Sequence, residues 1–204
     1  MELQEAIRNR RTVREFDPRP VSDAVVERAL AAGLMAPTHN HLRQWHFLLV
    51  EDPAVRMRVA LAEDLQESIS DSSLDYFDGL DSMARDMYLY ACPLQRRMVL
   101  TAPRLLIPVY KPNTPFEELK RMYELNCFAS IWACIENILL SLAEDDVYGV
   151  TCIPQNTPAI KSVLGIPAEM EIPALIPFGY KAANAKIVPQ KHIELAGRMH
   201  RDHW

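Results

Sequence analysis

Glycine is scarce in this chain, with six residues in 204. No G-x-G-x-x-G run occurs, which excludes a nucleotide held by a Rossmann-type backbone loop. The four cysteines, Cys92, Cys127, Cys134 and Cys152, form no C-x-x-C pair, which removes zinc-ribbon and thioredoxin-like readings. Lysine is absent before Lys111, and no Walker A, G-x-S-x-G, H-E-x-x-H or EF-hand pattern is present. No stretch supplies the ~18 uncharged apolar residues of a membrane span. The best run, Cys127 to Ala143, is broken by Glu136 and Asn137. The opening MELQEAIRNRR lacks the apolar segment of a signal peptide. A cytoplasmic protein with reduced, buried thiols and no membrane partner is therefore expected.

What is there describes a globular chain. Hydrophobic residues make up 49% and charged residues 24%, which excludes a disordered, collagen-like or coiled-coil chain. The length predicts one domain spanning 1–204. The fifteen prolines imply stiff connections. A net charge of −5 argues against a nucleic-acid partner. The charge is uneven, however, because Arg8, Arg10, Arg11, Arg14 and Arg19 crowd the first twenty residues and offer a local anion site.

Periodicity and turn residues predict a short helix over 2–9, a helix from an N-cap at Ser22 to Met35, and a buried strand over 45–50. A helix from Pro53 to about Gln66 comes next. The Ser- and Asp-rich stretch 67–82 reads as a mobile loop or lid, the lid region as a whole covering about 67–100. Residues 83–100 read as helix with a break at Pro93. A strand over 104–110 precedes the longest helical pattern, 117–144, which is apolar on more than one face and so suits a central or subunit-interface position. Strands over 147–153 and 172–180 flank a short helix with Thr157 as N-cap, Pro158 after it and Gly165 as its stop. Residues 189–204 form a basic and His-containing C-terminal arm. The alternation places the chain in the α/β or α+β class with four or five strands.

Two constellations carry chemistry. Arg10-Arg11-Thr12-Val13-Arg14 offers paired guanidinium donors and a hydroxyl suited to a phosphate or other oxyanion; a solvated charged turn is the plain alternative. A positive charge there would also stabilise a reduced, anionic flavin. The second runs from Ala36 to Phe47 (APTHNHLRQWHF): a helix end, a proline turn, small polar groups and a Trp before a strand, which describes a pocket edge. His39, His41 and His46 lack an accompanying spaced carboxylate or thiol, so no metal site is expected. His200 and His203 read as solvated or packed on a partner. Glu136 and Asn137 read as polar contacts of a helix face rather than as a general acid, and no catalytic acid or base is identified.

Taken together, these segments resemble the FMN-dependent nitroreductase family. RRTVREF and APTHNHLRQWHF are similar to its RRSVRxF and APSxxNxQPWxF segments. The resemblance continues through ELNCFASIWACIENILLSLA, Gly149-Val150-Thr151, VLGIP and PALIPFGY, so it covers nearly the whole chain. It implies an α+β (α/β/α sandwich) fold whose mixed, mostly antiparallel four- to five-stranded sheet is flanked by helices. It also implies a homodimer with FMN at the subunit interface. Arg10, Arg11 and Thr12 would hold the FMN phosphate and ribityl chain, and Arg14 would lie by the pyrimidine edge. Pro37, Thr38, His39 and His41 would reach the ring from the other subunit. The backbone of Thr151, Cys152 and Ile153 would face the reactive flavin nitrogen, and Lys191 would add a phosphate contact. The activity implied is ping-pong electron transfer from NAD(P)H to a small electron-poor acceptor, a nitroaromatic, a quinone or a similar molecule.

The chain departs from the family pattern at His41, at Arg43-Gln44 before the Trp, and at Leu94-Gln95, where the family has an Asn-Gln pair. Alternatives on the same fold are a reductive dehalogenase of iodotyrosine type and a non-catalytic flavin-binding protein. The first needs a lid Glu, Tyr and Lys. This chain offers Glu67 and Tyr76 or Tyr88, with Arg85 in place of a lysine.

Overall fold

The structure is a computed structural model that describes residues 2–204. In chain order the elements are α1 (Leu3–Asn9), α2 (Asp23–Leu34), β1 (Trp45–Leu49), α3 (Pro53–Ala62), α4 (Asp71–Asp78), α5 (Ser82–Ala91), α6 (Gln95–Thr101) and β2 (Arg104–Tyr110). They continue with α7 (Asn126–Glu144), β3 (Val147–Gly149), α8 (Thr157–Leu164) and β4 (Ile176–Tyr180). The sheet order is β1-β2-β4-β3, and every strand pair is antiparallel. An isolated parallel bridge joins Thr12 to Gly149. The fold is therefore α+β, as the sequence implies, with four strands.

β2 explains the layering. Its residues alternate faces with a period of two. Leu106 and Tyr110 enter a core with Val26, Ala29, Ile131 and Ile138 from α2 and α7. Leu105, Ile107 and Val109 enter a second core with Val59, Val99 and Ile160 from α3, α6 and α8. Both faces are covered, so β2 reads as an uninterrupted apolar run although its pairing is antiparallel.

α7 buries Cys127, Ile131, Cys134, Ile135, Ile138 and Leu142, the i, i+3, i+4 stripe of a core helix. Gly33 lets α2 approach it: a Cβ there would sit 2.6 Å from the Ile138 Cγ1 atom. By length and hydropathy alone Met122–Glu144 is long and apolar enough to cross a membrane; in the fold it packs on α2 and the sheet.

Several sequence expectations are corrected. The long helix starts at Asn126, because 116–118 and 122–125 are separate 3-10 turns joined by extended residues. Within the 67–82 stretch, 71–78 is helical: the Ser70 hydroxyl accepts the Ser73 N–H, and Phe77 is buried under the new helix. The N-cap of α8 is Asn156, whose side chain accepts the Ala159 N–H, and Thr157 is already helical. Ser22 stands at the N-cap position of α2 without a side-chain cap bond. β3 ends at Gly149 and β4 begins at Ile176; beyond β3 the pairing continues through the Val150 N–H on Pro177 O and an isolated Cys152–Leu175 bridge. The break at Pro93 is present as a 3-10 turn between α5 and α6.

Candidate functional site

The N-terminal arginines are fixed by main chain. The Val13 N–H donates to Gly149 O at 3.3 Å, and the Asp17 N–H donates to Tyr180 O at 2.9 Å, so residues 12–17 run along the β3 and β4 edge. Val13 is fully buried. By strand alternation Thr12 and Arg14 then point the other way.

Arg10, Arg11 and Thr12 open a cavity of about 170 Å³ with Trp132 and Glu136 of α7 and Thr151 on its walls. The Arg10 Nε lies 3.1 Å from a Glu136 carboxylate oxygen, leaving the terminal guanidinium nitrogens of Arg10 for another acceptor. Val150 and Thr151 also line a neighbouring cavity of about 300 Å³, together with Arg14, Tyr88, Cys152 and Ile153. A third, of about 330 Å³, shares Cys152 and Ile153 and extends to Ser68 and Ser70 of the lid. The three are neighbours through these shared residues and together are called the trough here; arginines line the first and serines the third. The expected contacts from residues 10–14 and 151–153 thus meet in one place.

Arg14 lies midway along the trough. Burial lowers its pKa, opposed by Cys152, Tyr90 and Cys92, yet a guanidinium stays charged at any ordinary pH. Its Nη2 donates to the Met87 sulfur at 3.6 Å. Burial pushes the Cys152 thiol up to about 12, so it is a neutral S–H beside the cation and not a nucleophile at neutral pH. Burial raises the Cys92 thiol as well. α5 closes over Arg14. Its Tyr90 hydroxyl donates to Glu15 at 2.7 Å, and the Lys186 ammonium sits 4.8 Å from the Tyr90 ring centroid.

Pro37, Thr38 and His39 are elsewhere. They form a groove of about 370 Å³ with Asn126, Ser130 and Ala133, on the other flank of α7. The His39 N–H donates to the Ser130 hydroxyl at 3.0 Å, and that hydroxyl donates to Asn126 O at 2.6 Å. The His39 ring packs edge-on against Tyr123, with centroids 4.9 Å apart. His41 is exposed, with a positive φ of 56°. Within one chain these residues do not join the arginine trough. Lys191 is exposed on the C-terminal arm and contributes to none of these cavities. Among the described residues no three His, Cys, Asp or Glu side chains group as metal ligands.

The lid residues are paired among themselves. Arg85 bonds Asp78 at 2.8 Å, Glu67 lies 3.7 Å from Arg96, and Tyr88 stacks on Phe77 at 5.1 Å. Asn137 donates to Ala32 O at 3.2 Å, a structural contact between α7 and α2.

One contributor lay outside the sequence reading. Glu63, 8% exposed, accepts the N–H groups of Gln155 and Asn156, the latter at 3.0 Å, and so holds the chain that leaves Ile153. A buried carboxylate satisfied by main-chain donors has no local motif. Its only signal is an acidic residue directly after the apolar run Val59–Ala62.

Comparison with known proteins gives a consistent picture. The sequence matches the family model for the Nitroreductase family over residues 7–180. It is 26% identical over 187 residues to the iodotyrosine deiodinase of Drosophila melanogaster, covering 87% of this chain and 62% of that protein. This chain therefore spans under two thirds of that relative's length. Among solved structures it is similar to an iodotyrosine deiodinase bound to FMN and 3-iodo-L-tyrosine, with a TM-score of 0.75, 18% identity and full coverage of both chains. It is also similar to the FMN and NADPH-dependent nitroreductase NfnB from Sphigopyxis sp. strain HMH, with a TM-score of 0.73, 17% identity and full coverage of both.

Proposed function

The chain belongs to the nitroreductase family, and we propose that it is an FMN-dependent oxidoreductase that works as a homodimer, passing electrons from NAD(P)H to a small electron-poor acceptor. The observation that carries this reading is the trough, in which Arg10, Arg11 and Thr12 lead past Arg14 to Thr151–Ile153. The donor set fits the cofactor: guanidinium forks and a hydroxyl for a phosphate, then a charge for the ring. When bound, FMN supplies the two-electron chemistry. Arg10, Arg11 and Thr12 hold the phosphate end. Arg14, desolvated under α5, places its charge where negative charge accumulates on reduction. The main chain after Thr151, braced by Glu63, supplies fixed polar groups with no titration of its own.

What supports the dimer is the surface of α7. At 100° per residue, Ala129 and Ala133 at the groove and Glu136 at the trough form one strip of α7 that joins the two. Ala129 and Glu136 are exposed and Ala133 is half-buried. Two alanines allow a second copy to approach closely. A two-fold axis across this strip brings Pro37, Thr38 and His39 of each copy towards the other's trough, the isologous arrangement of most homodimers. That would complete a ring site that one chain leaves half built.

A dehalogenase acting on an iodinated amino acid is the second reading, motivated by the deiodinase relatives. In this structure Arg85 is paired with Asp78 and Glu67 lies 3.7 Å from Arg96, so this reading requires the lid to exchange two exposed ion pairs for the zwitterion.

The test is purification followed by a flavin spectrum, then anaerobic mixing with NADH and NADPH and reoxidation by nitrobenzene, menadione and 3-iodotyrosine. Bleaching and rapid reoxidation by the first two acceptors support the proposal. Bound FMN that no reduced nicotinamide bleaches would assign a carrier instead. Preferential turnover of 3-iodotyrosine would assign the dehalogenase.

A further inference from the structure

The lid helix α5 meets the arginine flank through a thioether. The Arg14 Nη2 donates to the Met87 sulfur at 3.6 Å, and both residues line the cavity of about 300 Å³. Met87 is half-buried, so part of its side chain is open to that cavity. Two further contacts hold the helix: Tyr88 stacks on Phe77 of α4 at 5.1 Å, and the Tyr90 hydroxyl donates to Glu15 at 2.7 Å. The flavin reading gives Arg14 a task and leaves Met87 without one.

A thioether sulfur is a weak hydrogen-bond acceptor. Its sulfoxide is polar and chiral, and the compact, negative S=O oxygen accepts far more strongly from a charged donor. What sets Met87 apart is the pairing of access with such a donor. Met98 and Met170 are 2% and 8% exposed and sealed in the core. Met83, one turn before Met87 on α5, is more exposed but lines none of the three trough cavities.

We propose that Met87 is an oxidation site: hydrogen peroxide converts its thioether to a sulfoxide, whose oxygen then takes the Arg14 guanidinium and pins α5 over the trough. The sulfur lone pair forms a bond to one peroxide oxygen, and the O–O bond breaks. The departing hydroxide takes the proton left on the transferred oxygen and becomes water. The sulfur is oxidised by two electrons and the peroxide reduced by two. Arg14 favours the step, because a guanidinium carries five N–H donors and can steady the departing oxygen while charge develops on it. Pinning α5 draws the Arg14 charge towards the lid and away from a ligand in the trough. The change is reversible in kind, since methionine sulfoxide reductases act on each sulfoxide epimer.

The experiment treats the full-length purified protein with dilute hydrogen peroxide. Peptide mass spectrometry follows each methionine, and amide exchange is read over residues 82–91. Met87 is expected to oxidise at least as fast as the more exposed Met83. Exchange of α5 should slow by about tenfold once Met87 is oxidised, the size of one hydrogen bond to a charged group. Met87→Leu, a swap that conserves volume, should show no effect of peroxide on α5. Neither readout depends on an electron acceptor. The proposal is overturned if Met87 stays reduced while Met83 oxidises, or if oxidised Met87 leaves α5 exchange unchanged or faster. It is also overturned if the slowing persists in Met87→Leu, which would place it at another sulfur such as Met57, which accepts from Arg96.

Discussion

On one flank of α7 the chain carries arginines whose main chain is bonded to the edge of the sheet. On the other it carries a turn, 37–41, which meets α7 through the His39 N–H on Ser130. The first flank is charged and continuous with the lid. The second is an open groove with three strained positions within four residues, since Asn40, His41 and Arg43 all have positive φ without being glycine. Such strain, about 1–3 kcal/mol at each position, persists only where the surroundings enforce it. The contrast is that of two half-sites. One is equipped to hold a charged, flexible end of a ligand, and the other to present a shaped rim to something that is not in the same chain.

The strongest way to break this pairing is to hold the flanks apart. Ala129→Arg places a long cation on the exposed strip of α7 between them. The chain should then elute as a monomer in light scattering, and FMN should bind on the order of a hundredfold more weakly, the size of one interface hot spot. Its melting temperature should fall only by the dimer's contribution, because Ala129 is outside the core. A variant that stays dimeric and yellow would refute the two-flank arrangement.

A smaller effect should separate the flanks by role. Arg10→Ala removes a charged phosphate contact, so FMN affinity measured by fluorescence quenching should drop by roughly ten- to a hundredfold, matching about 1.5–3 kcal/mol for hydrogen bonds to charged groups. His39→Ala, on the ring-facing flank, should change affinity far less. Equal losses from both would mean that the flanks do not divide the ligand as proposed.

The elements that position the trough were legible in the sequence wherever one local rule decided them. The strand 104–110 needs only its apolar run and flanking prolines, and Gly165 stops α8 in the left-handed conformation that glycine accepts, at φ 67°. The arginine cluster was visible as density. What stayed hidden depended on partners distant in sequence. The 117–144 pattern looked continuous, because periodicity does not record that Arg121 is extended and that Glu124 accepts the main-chain N–H groups of Lys120 and Arg121, which starts a fresh turn at Met122. The Asp-rich stretch looked like a loop because its one buried anchor, Phe77, pairs with Tyr88 of the next helix. Of the site residues, 10–14 and 151–153 meet through the sheet edge. The separation of 37–41 from them arises from α7 standing between, which no spacing in the sequence encodes.

Glu63 offers an intermediate test on the side of the trough. Glu63→Ala removes the carboxylate that accepts the N–H groups of Gln155 and Asn156. Stability measured by urea unfolding should fall by about 2–3 kcal/mol. The segment 153–156 should gain amide exchange, while the 37–41 flank should be unaffected.

The gentlest perturbation is pH at the lid latch, where α5 meets the arginine flank. The Glu15 carboxylate accepts the Tyr90 hydroxyl at 2.7 Å and the Lys186 N–H at 3.1 Å, and these bonds hold its pKa below the ordinary carboxylate value. A depressed carboxylate pKa stabilises the fold fully above the unfolded value of about 4.3, and the contribution fades as pH falls through the lower folded value. Tyr90 itself is pushed up to about 12, mainly by burial, so it remains a donor through neutral and mildly alkaline pH. The latch should therefore hold from pH 5 to pH 9 and loosen only in acid. Amide exchange of residues 83–90, corrected for the intrinsic pH dependence, should accelerate as pH falls below the ordinary carboxylate value of about 4.3. Tyr90→Phe should exchange faster at every pH and lose this acid step, since its carboxylate partner no longer has a phenol to release. An acid step that survives in Tyr90→Phe would assign the opening to another carboxylate and detach the lid from the arginine flank.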